Sequence, residues 1–284
     1  MSNFFYTRVR PRIKNFTSAI GIKRKRERAV KLPPDFDELT TRIFNTVNPY
    51  TMTSPERVAA LVEAVRYVVA NRIPGDFVEC GVWRGGSSMA AALALKELGD
   101  VSRELWLYDT YEGMSAPTGE DVDVAGQSAD AKFSQRQLTE DSSEWCRSPI
   151  DDVRQNLEST GYPADKVHFV KGKVQDTIPG TMPAGPVAIL RLDTDWYEST
   201  RHEMQHLYPA LVKGGVLILD DYGYWQGAWK AVDEDCTSHN IRPLLGRVAF
   251  AGRAIRKRCA YRAASFGLVV PAGWLAVLTR DVVG

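Results

Sequence analysis

The amino-acid sequence predicts an α/β domain with a mostly parallel sheet and helices on both of its faces. Short apolar runs alternate along the chain with stretches in which apolar residues recur at helical spacing. The apolar runs are continuous, which is typical of strands that are buried on both faces. Hydrophobic residues make up 44% of the 284 residues and charged residues 25%, which excludes a chain that is disordered throughout.

The predicted elements begin with a helix over residues 54–69, where valines and leucines recur at helical spacing behind a proline in the first turn. Residues 76–81 are a short apolar run that enters a glycine-rich turn, which predicts the first strand. The alanine-rich segment 87–98 predicts the helix after this turn. Residues 105–109 predict a second strand, which ends at Asp109.

The middle of the chain contains a long polar segment. Residues 119–146 are acidic and polar, and we expect them to form a long loop or a lid. Residues 150–157 have helical periodicity, and residues 167–170 predict the third strand.

The last predicted elements are two strands that alternate with two helices. Residues 187–192 are almost entirely apolar and predict the fourth strand. A helix over residues 198–211 follows and is closed by Gly214-Gly215. Residues 216–219 predict a fifth strand, and residues 225–232 again have helical spacing.

The formal net charge of +1 hides a segregation of charge along the chain. Residues 1–32 hold ten Lys/Arg and one Glu, residues 241–284 hold eight Lys/Arg and one Asp, and the segment between them holds 18 basic and 33 acidic residues. We favour a solvated N-terminal arm over one that binds an anionic membrane or nucleic acid, because no DNA- or RNA-binding motif accompanies it.

Cysteine usage and the N-terminus predict a cytoplasmic protein. The four cysteines have no C-x-x-C spacing, which argues against a zinc ribbon or a disulfide framework and favours a reducing compartment. The N-terminus lacks the apolar core of a secretory signal. The apolar run 263–279 is 17 residues long and is interrupted by Pro271 and Gly273, so it is marginal for a membrane span.

The turn between the first strand and the next helix is the first candidate site. Its glycines Gly81, Gly85 and Gly86 would let a ligand approach the backbone near the start of the helix. Asp109 at the end of the second strand is placed to accept hydrogen bonds from ribose hydroxyls. The glycines do not follow the G-x-G-x-x-G spacing, so an NAD site fits poorly, and a purely structural turn remains an equal alternative.

Acidic residues at two strand ends form the second candidate site. Asp193 and Asp195 follow the fourth strand, and Asp220 and Asp221 follow the fifth. In such sheets ligands bind outside the carboxyl ends of the strands, so these side chains are expected to face the glycine turn. Carboxylates without histidine or cysteine favour Mg²⁺ first and Ca²⁺ second. We favour this interpretation over simple capping of the next element by Asp220 and Asp221.

Five segments of the chain together resemble the macrocin O-methyltransferase (TylF-like) family. They are residues 76–88, 107–114, 169–179, 189–208 and 214–234, and the most specific motifs are LRLDTDWYEST and DDYGYWQGA. The resemblance covers about residues 45–257. It implies a Rossmann-like class I methyltransferase fold with a mostly parallel seven-stranded sheet, and an enzyme that uses S-adenosylmethionine (SAM) and Mg²⁺ to methylate sugar hydroxyls.

The same resemblance implies roles for individual residues. Asp193, Asp220 and Asp221 match the metal ligands, and either Asp193 or Asp195 is expected to be the general base. The expected SAM-binding residues are Thr51 and Met52, which close over the cofactor, Glu79, Gly81, Gly85, Gly86 and Ser87 at its methionine end, Asp109 at the ribose, Ser115, and Asp176 near the adenine.

The resemblance also divides the chain. The predicted parts are a basic N-terminal arm over residues 1–44, a methyltransferase domain over 45–257 with its lid at about 119–146, and an extension over 258–284. The family ends with two antiparallel strands, which residues 241–245 and 248–255 are expected to supply. For the extension, an extra hairpin, a dimer element and a membrane-facing segment all remain open.

The leading prediction is a SAM- and Mg²⁺-dependent O-methyltransferase that acts on a sugar of a natural product or a glycolipid. We expect a homodimer that binds no nucleic acid, with peripheral membrane contact through the basic ends as an open alternative. A catechol-type O-methyltransferase needs the same metal and vicinal oxygens and is the second hypothesis. The third is a non-catalytic SAM- or nucleotide-binding module, against which the intact acidic cluster argues.

Overall fold

The structure is a computed structural model that describes residues 32–257. The segments before residue 32 and after residue 257 lie outside the described residues. The predictions made for them also lie outside: most of the basic arm, membrane contact through the ends, and the hairpin, dimer or membrane role of residues 258–284 with their apolar run.

Within residues 32–257, α-helices and strands alternate along the chain as the sequence predicts. In chain order the elements are α1 (Glu38–Val47), α2 (Pro55–Ala70), β1 (Asp76–Cys80), α3 (Gly86–Glu97), β2 (Leu105–Asp109), α4 (Asp130–Ser134), β3 (Gln137–Thr139), β4 (Ser142–Ser143), α5 (Ile150–Glu158), β5 (Val167–Lys171), α6 (Val174–Thr177), β6 (Val187–Leu192), α7 (Tyr197–His206), β7 (Leu211–Leu219), α8 (Gln226–Ser238), β8 (Gly246–Val248) and β9 (Gly252–Arg256).

Seven strands form one sheet in the order β5-β2-β1-β6-β7-β9-β8. The first five pair in parallel, while β9 runs antiparallel to β7 and β8 antiparallel to β9. The strand order reverses between β1 and β6, so the carboxyl ends of these two strands border a crevice where ligands of such sheets bind. The predicted fold class is confirmed.

The sheet separates two hydrophobic cores. Phe77 and Ile189 pack on one face with helices α1, α2, α3 and α5, and their chain neighbours Val78 and Leu190 pack on the other face with α7 and α8. Successive residues of a strand point to opposite faces, so continuous apolar strands are needed to fill both cores. None of the described helices is long and apolar enough to cross a membrane.

Helix α1 changes the predicted start of the domain. It begins within the arm predicted over residues 1–44 and continues past its end, and its Ile43 and Phe44 are each only 2% exposed and belong to the first core. Its first turn is capped by Asp37, whose side chain accepts a hydrogen bond from the backbone N–H of Thr40 at 2.8 Å. The packed domain therefore includes residues that the sequence assigns to the arm.

Prolines explain two further differences. The helix predicted over residues 198–211 ends at His206, because Pro209 cannot continue it, and Gly214-Gly215 lie inside strand β7. Residues 241–245 form no strand, because Pro243 has no N–H to donate to a ladder, and β8 supplies the edge instead. The prediction for this segment was wrong.

The predicted lid is partly ordered by its own short elements. Residues 119–146 contain α4 and the β3–β4 hairpin. The segment is anchored by Asp121, which is 0% exposed and accepts a hydrogen bond from the backbone N–H of Tyr197 at 2.8 Å. Backbone bridging between Asp123 and Trp225 fastens it to the start of α8. The lid is thus attached to the end of the sheet that carries the acidic residues.

Candidate active site

The glycine turn after β1 makes two close backbone approaches. A Cβ at Gly81 would lie 2.0 Å from the carbonyl oxygen of Asp193, and a Cβ at Gly86 would lie 2.5 Å from the carbonyl oxygen of Tyr50. Gly81 also has a φ of +83°, a conformation that side-chain-bearing residues rarely adopt. Both glycines are therefore required by the local geometry, independently of any ligand.

Asp109 at the end of β2 holds this turn in place. Its Oδ2 accepts hydrogen bonds from the backbone N–H groups of Val82 at 2.7 Å and Trp83 at 3.0 Å. Its Oδ1 accepts one from the N–H of Tyr111 at 2.7 Å. Burial raises the pKa of Asp109 and these three amides oppose that rise. The carboxylate thus has a structural role that the sequence alone did not reveal.

Three carboxylates gather at the ends of β6 and β7. One oxygen from each of Asp193, Asp220 and Asp221 lies within 4.8 Å of the others. Burial raises the pKa of Asp193 and of Asp221, and the neighbouring carboxylates raise both further. Oδ2 of Asp221 is buried and has no hydrogen-bond partner among residues 32–257. The cluster brings together the predicted metal ligands.

Arg191 in β6 connects this cluster to β1, and sequence analysis missed it. It is 3% exposed, and its Nη1 donates to Oε1 of Glu79 at 2.6 Å. Its Nη2 lies 2.7 Å from Oδ2 of Asp193 and 2.7 Å from Oδ1 of Asp220. Burial acts to lower the pKa of Arg191, but the three carboxylates raise it well above its usual value. The sequence did contain a signal for this role, because Arg191 is the single charged residue in an otherwise apolar strand.

Asp195 differs from its neighbours in the cluster. Its backbone has a φ of +66°, and burial together with the nearby Asp193 raises its pKa to about 7. Among the described residues it has no arginine partner like the one that Asp193 and Asp220 share. Asp195 thus lines the cavity close to Asp193 without a share in the Arg191 salt bridges.

Aromatic rings support the loop that carries Asp195. Trp196 packs edge-on against Trp225 and Trp145, with ring centroids 5.0 and 5.5 Å apart. The indole N–H of Trp196 donates to the carbonyl oxygen of Ser115 at 3.1 Å. This cluster, which we call the tryptophan cluster (Trp145, Trp196 and Trp225), joins the lid to helix α8 beside the acidic residues.

One cavity of about 220 Å³ connects the two candidate sites. Its walls include residues that the sequence assigned to the donor and to the acidic cluster: Thr51, Met52, Gly81, Gly86, Ser87, Asp109, Ser115, Asp193, Asp195, Asp220 and Asp221. The glycine turn therefore faces the carboxylates across a single space, as the positions of the strand ends predicted.

Three predicted SAM-binding residues do not line this cavity. Glu79 is 1% exposed and instead contacts Arg191 and the hydroxyl of Ser88. Gly85 faces the side chains of helix α5. Asp176 is exposed to solvent, because the cavity-facing residues of that short turn are Val174 and Gln175. For these three positions direct contact with SAM stays a prediction.

Thr53 and Arg57 are cavity residues that sequence analysis also missed. The hydroxyl of Thr53 lies 3.3 Å from Oδ1 and 3.2 Å from Oδ2 of Asp220. Arg57 contacts Oδ2 of Asp220 through Nη1, which also lies 3.3 Å from the carbonyl oxygen of that residue. The two residues are more than 160 positions away in sequence, so no local pattern indicated this contact.

The strand order and the site at the carboxyl edge define a Rossmann-like class I methyltransferase fold. Within that class, the chain belongs to the macrocin O-methyltransferase (TylF) family, whose model matches residues 16–257. The resemblance seen in the sequence motifs is thereby confirmed.

The chain is also similar to known O-methyltransferases. It is 39% identical over 173 residues to 8-demethyl-8-(2,3-dimethoxy-alpha-L-rhamnosyl)-tetracenomycin-C 4'-O-methyltransferase of Streptomyces olivaceus, a match that covers 61% of this chain and 62% of that protein. It is 34% identical over 187 residues to demethyldecarbamoylnovobiocin O-methyltransferase of Streptomyces niveus, covering 66% and 68%. The structure of the O-methyltransferase NovP superposes with a TM-score of 0.64 at 30% identity, covering 74% of this chain and 83% of that one. The match to the first relative thus spans less than two thirds of its length.

Proposed function

We propose that this protein is a SAM- and Mg²⁺-dependent O-methyltransferase that methylates a sugar hydroxyl of a glycosylated small molecule. The observation that carries the proposal is the shared cavity, in which a glycine turn faces a cluster of one buried and two partly buried carboxylates. The names of the relatives support the substrate class, because one of them refers to a rhamnosyl group and its 4'-hydroxyl.

The half of the cavity formed by the glycine turn fits the methyl donor. SAM supplies an electrophilic methyl group on a sulfonium. Gly81 and Gly86 line the cavity and let the turn pack directly against the carbonyl oxygens of Asp193 and Tyr50. Asp109 also lines the cavity, and its Oδ1 has only a long contact of 3.4 Å with the Thr110 hydroxyl besides its backbone partner, a contact that a ribose hydroxyl would replace. Thr51 and Met52 border the same space from the segment before α2.

The acidic half of the cavity fits a hard divalent cation. Asp193, Asp220 and Asp221 offer only oxygen ligands, and the unpartnered buried Oδ2 of Asp221 is an atom that a cation would satisfy. These three residues would hold Mg²⁺. Bound there, Mg²⁺ supplies the positive charge that acidifies and orients a neighbouring hydroxyl.

Asp195 is the general base in this proposal. Asp193 already shares a salt bridge with Arg191, whereas Asp195 lines the cavity without such a partner among residues 32–257. Asp195 accepts the hydroxyl proton, and the sugar oxygen forms its bond to the methyl carbon as the carbon–sulfur bond breaks. The chain contributes mainly by holding the two reactants in line within one enclosed space.

A substrate panel tests the proposal. The purified protein is incubated with SAM and Mg²⁺ and offered a rhamnosylated aromatic polyketide, other glycosides, a glycolipid and a free catechol, and NMR locates any new methyl group. We expect transfer to a sugar oxygen of a glycoside. Transfer to the catechol alone would favour the catechol-type alternative, and binding of SAM without any transfer would favour a non-catalytic module. The homodimer and peripheral membrane contact stay predictions.

A further inference from the structure

The carboxylate of Asp220 is held by two arginines from different parts of the fold. Arg191 approaches Oδ1 from the neighbouring strand at 2.7 Å, and Arg57 contacts Oδ2 from the first turn of α2. Asp220 itself is 4% exposed, so both of these contacts are shielded from water. A cation that used Asp220 as a ligand would therefore meet an oxygen that already has a positive partner.

The two arginines are not equally fixed. The side chain of Arg191 is 3% exposed and is also held by Glu79, which lies 2.6 Å from its Nη1. The side chain of Arg57 is 20% exposed, and its buried Nε has no hydrogen-bond partner among the described residues. Displacing Arg191 would leave buried carboxylates unpaired, whereas displacing Arg57 moves a partly exposed group toward solvent.

We infer that Arg57 is a displaceable counter-ion of Asp220 that competes with the divalent cation and leaves Oδ2 when the cation binds. The inference rests on the proposed cation site and adds a residue that sets the affinity of that site. Thr53 contacts both oxygens of the same carboxylate at 3.2 and 3.3 Å, and it lines the cavity directly after Thr51 and Met52 in the chain. Release of Arg57 thus links cation binding to the segment that borders the methyl donor.

The first test is a calorimetric titration of the full chain with Mn²⁺ alone, which needs no turnover. Arg57→Gln is expected to bind Mn²⁺ about tenfold more tightly than the unmodified protein, because it removes a hydrogen bond to a charged group. Arg84→Gln is the matched control. Arg84 donates to the carbonyl oxygen of Pro49 at 2.9 Å and does not line the cavity, so this variant removes one arginine charge without removing a contact to Asp220.

The outcomes separate this inference from the proposed function. Unchanged or weaker binding by Arg57→Gln, or an equal gain in Arg84→Gln, contradicts the role of Arg57 and leaves the cation site standing. If neither the unmodified protein nor Arg57→Gln binds Mn²⁺, or if Asp220→Asn binds it as tightly as the unmodified protein, the proposed cation site fails and the inference falls with it. Thermal melting shows whether each variant is folded before it is titrated.

A second measurement follows the release of Arg57 directly in the unmodified chain. Arginines are modified with phenylglyoxal, with and without saturating Mg²⁺, and the modified sites are mapped by mass spectrometry. Modification of Arg57 is expected to rise severalfold with Mg²⁺. Arg66, which lies on the same helix and pairs with Glu63 at 2.6 Å, serves as the internal reference and should not change. A constant or reduced modification of Arg57 contradicts its displacement.

Discussion

The two halves of the cavity are lined by different kinds of chemical group. The donor half consists mainly of backbone: glycines that touch the carbonyl oxygens of Asp193 and Tyr50, and a turn whose amides are satisfied by Asp109. The acidic half consists of charged side chains, namely the carboxylate cluster at the ends of β6 and β7 and two arginines that neutralise part of its charge. We therefore expect substitutions that add volume to disrupt the donor half, and substitutions that change charge to disrupt the acidic half.

The largest effect is expected from Asp221→Asn, which changes charge in the acidic half at constant volume. Asp221 carries the unpartnered buried oxygen, so the substitution replaces a charged cation ligand by a neutral one without taking a salt-bridge partner from Arg191. We expect turnover to fall on the order of 10³-fold and Mn²⁺ affinity to fall with it. Calorimetry should find SAM affinity unchanged. Equal losses of SAM and cation affinity would break the distinction between the two halves.

A somewhat smaller loss is expected for Asp195→Asn, which tests the base within the acidic half. The amide cannot accept the hydroxyl proton, so kcat should fall about 10²- to 10³-fold. Because Asp195 is outside the set of proposed ligands, Mn²⁺ binding should be retained. Normal turnover in Asp195→Asn would transfer the role of base to Asp193, the alternative that the sequence left open.

Gly86→Ala tests the donor half, because it adds the volume of one methyl group to the glycine turn. A Cβ at this position would lie 2.5 Å from the carbonyl oxygen of Tyr50, so the turn must shift to accommodate it. SAM affinity should fall about tenfold to a hundredfold, while Mn²⁺ affinity stays as it was. Gly119→Ala is the control, since a Cβ at Gly119 would meet nothing within 4 Å. Equal SAM affinities in the two variants would contradict a donor site at this turn.

The smallest effect is expected on the stability of the folded protein and concerns Glu203 in helix α7. Glu203 is 0% exposed, its Oε2 lies 3.2 Å from the hydroxyl of Thr194, and burial raises its pKa from 4.5 to about 8. Between these two values the folded state binds more protons than the unfolded state, so this group lowers the stability as the pH rises through that window.

Glu203→Gln removes this titration while it keeps a hydrogen-bond acceptor for Thr194. Its free energy of unfolding should exceed that of the unmodified protein by on the order of 2 kcal/mol at pH 8, and the difference should vanish near pH 4.5. Chemical denaturation at several pH values measures the difference. A constant offset across the range would show that Glu203 does not carry a buried, titrating carboxyl.

The sequence predicted the meeting of the two halves because both lie at strand ends. The carboxyl ends of parallel strands share one edge of a sheet, which places Asp193 and Asp220 opposite the glycine turn whatever the loops do. The importance of Arg191 could also have been predicted from the sequence, because it is the one charged residue in an apolar strand. Its three carboxylate partners follow from the need to pair a buried charge.

Contacts between distant segments were beyond sequence reasoning. Arg57 reaches Asp220 across 163 positions, and nothing in the periodicity of α2 distinguishes it from Arg66, which pairs with Glu63 on the same helix. The role of Asp109 was only half visible, because its backbone partners depend on the exact path of the turn. Residues 119–146 were predicted to form a long loop or a lid. Their anchoring through Asp121 could not be predicted, because it depends on a contact with Tyr197 that only the folded structure shows.

The most direct test of the account removes the cation and follows both halves at once. Methyl transfer to the glycoside that the substrate panel identifies is measured in Mg²⁺, then in excess EDTA, and again after Mg²⁺ is restored, with SAM affinity determined under each condition. We predict that EDTA abolishes methyl transfer, that Mg²⁺ restores it, and that SAM affinity stays constant throughout. Full methyl transfer in EDTA would contradict the proposed role of the acidic half.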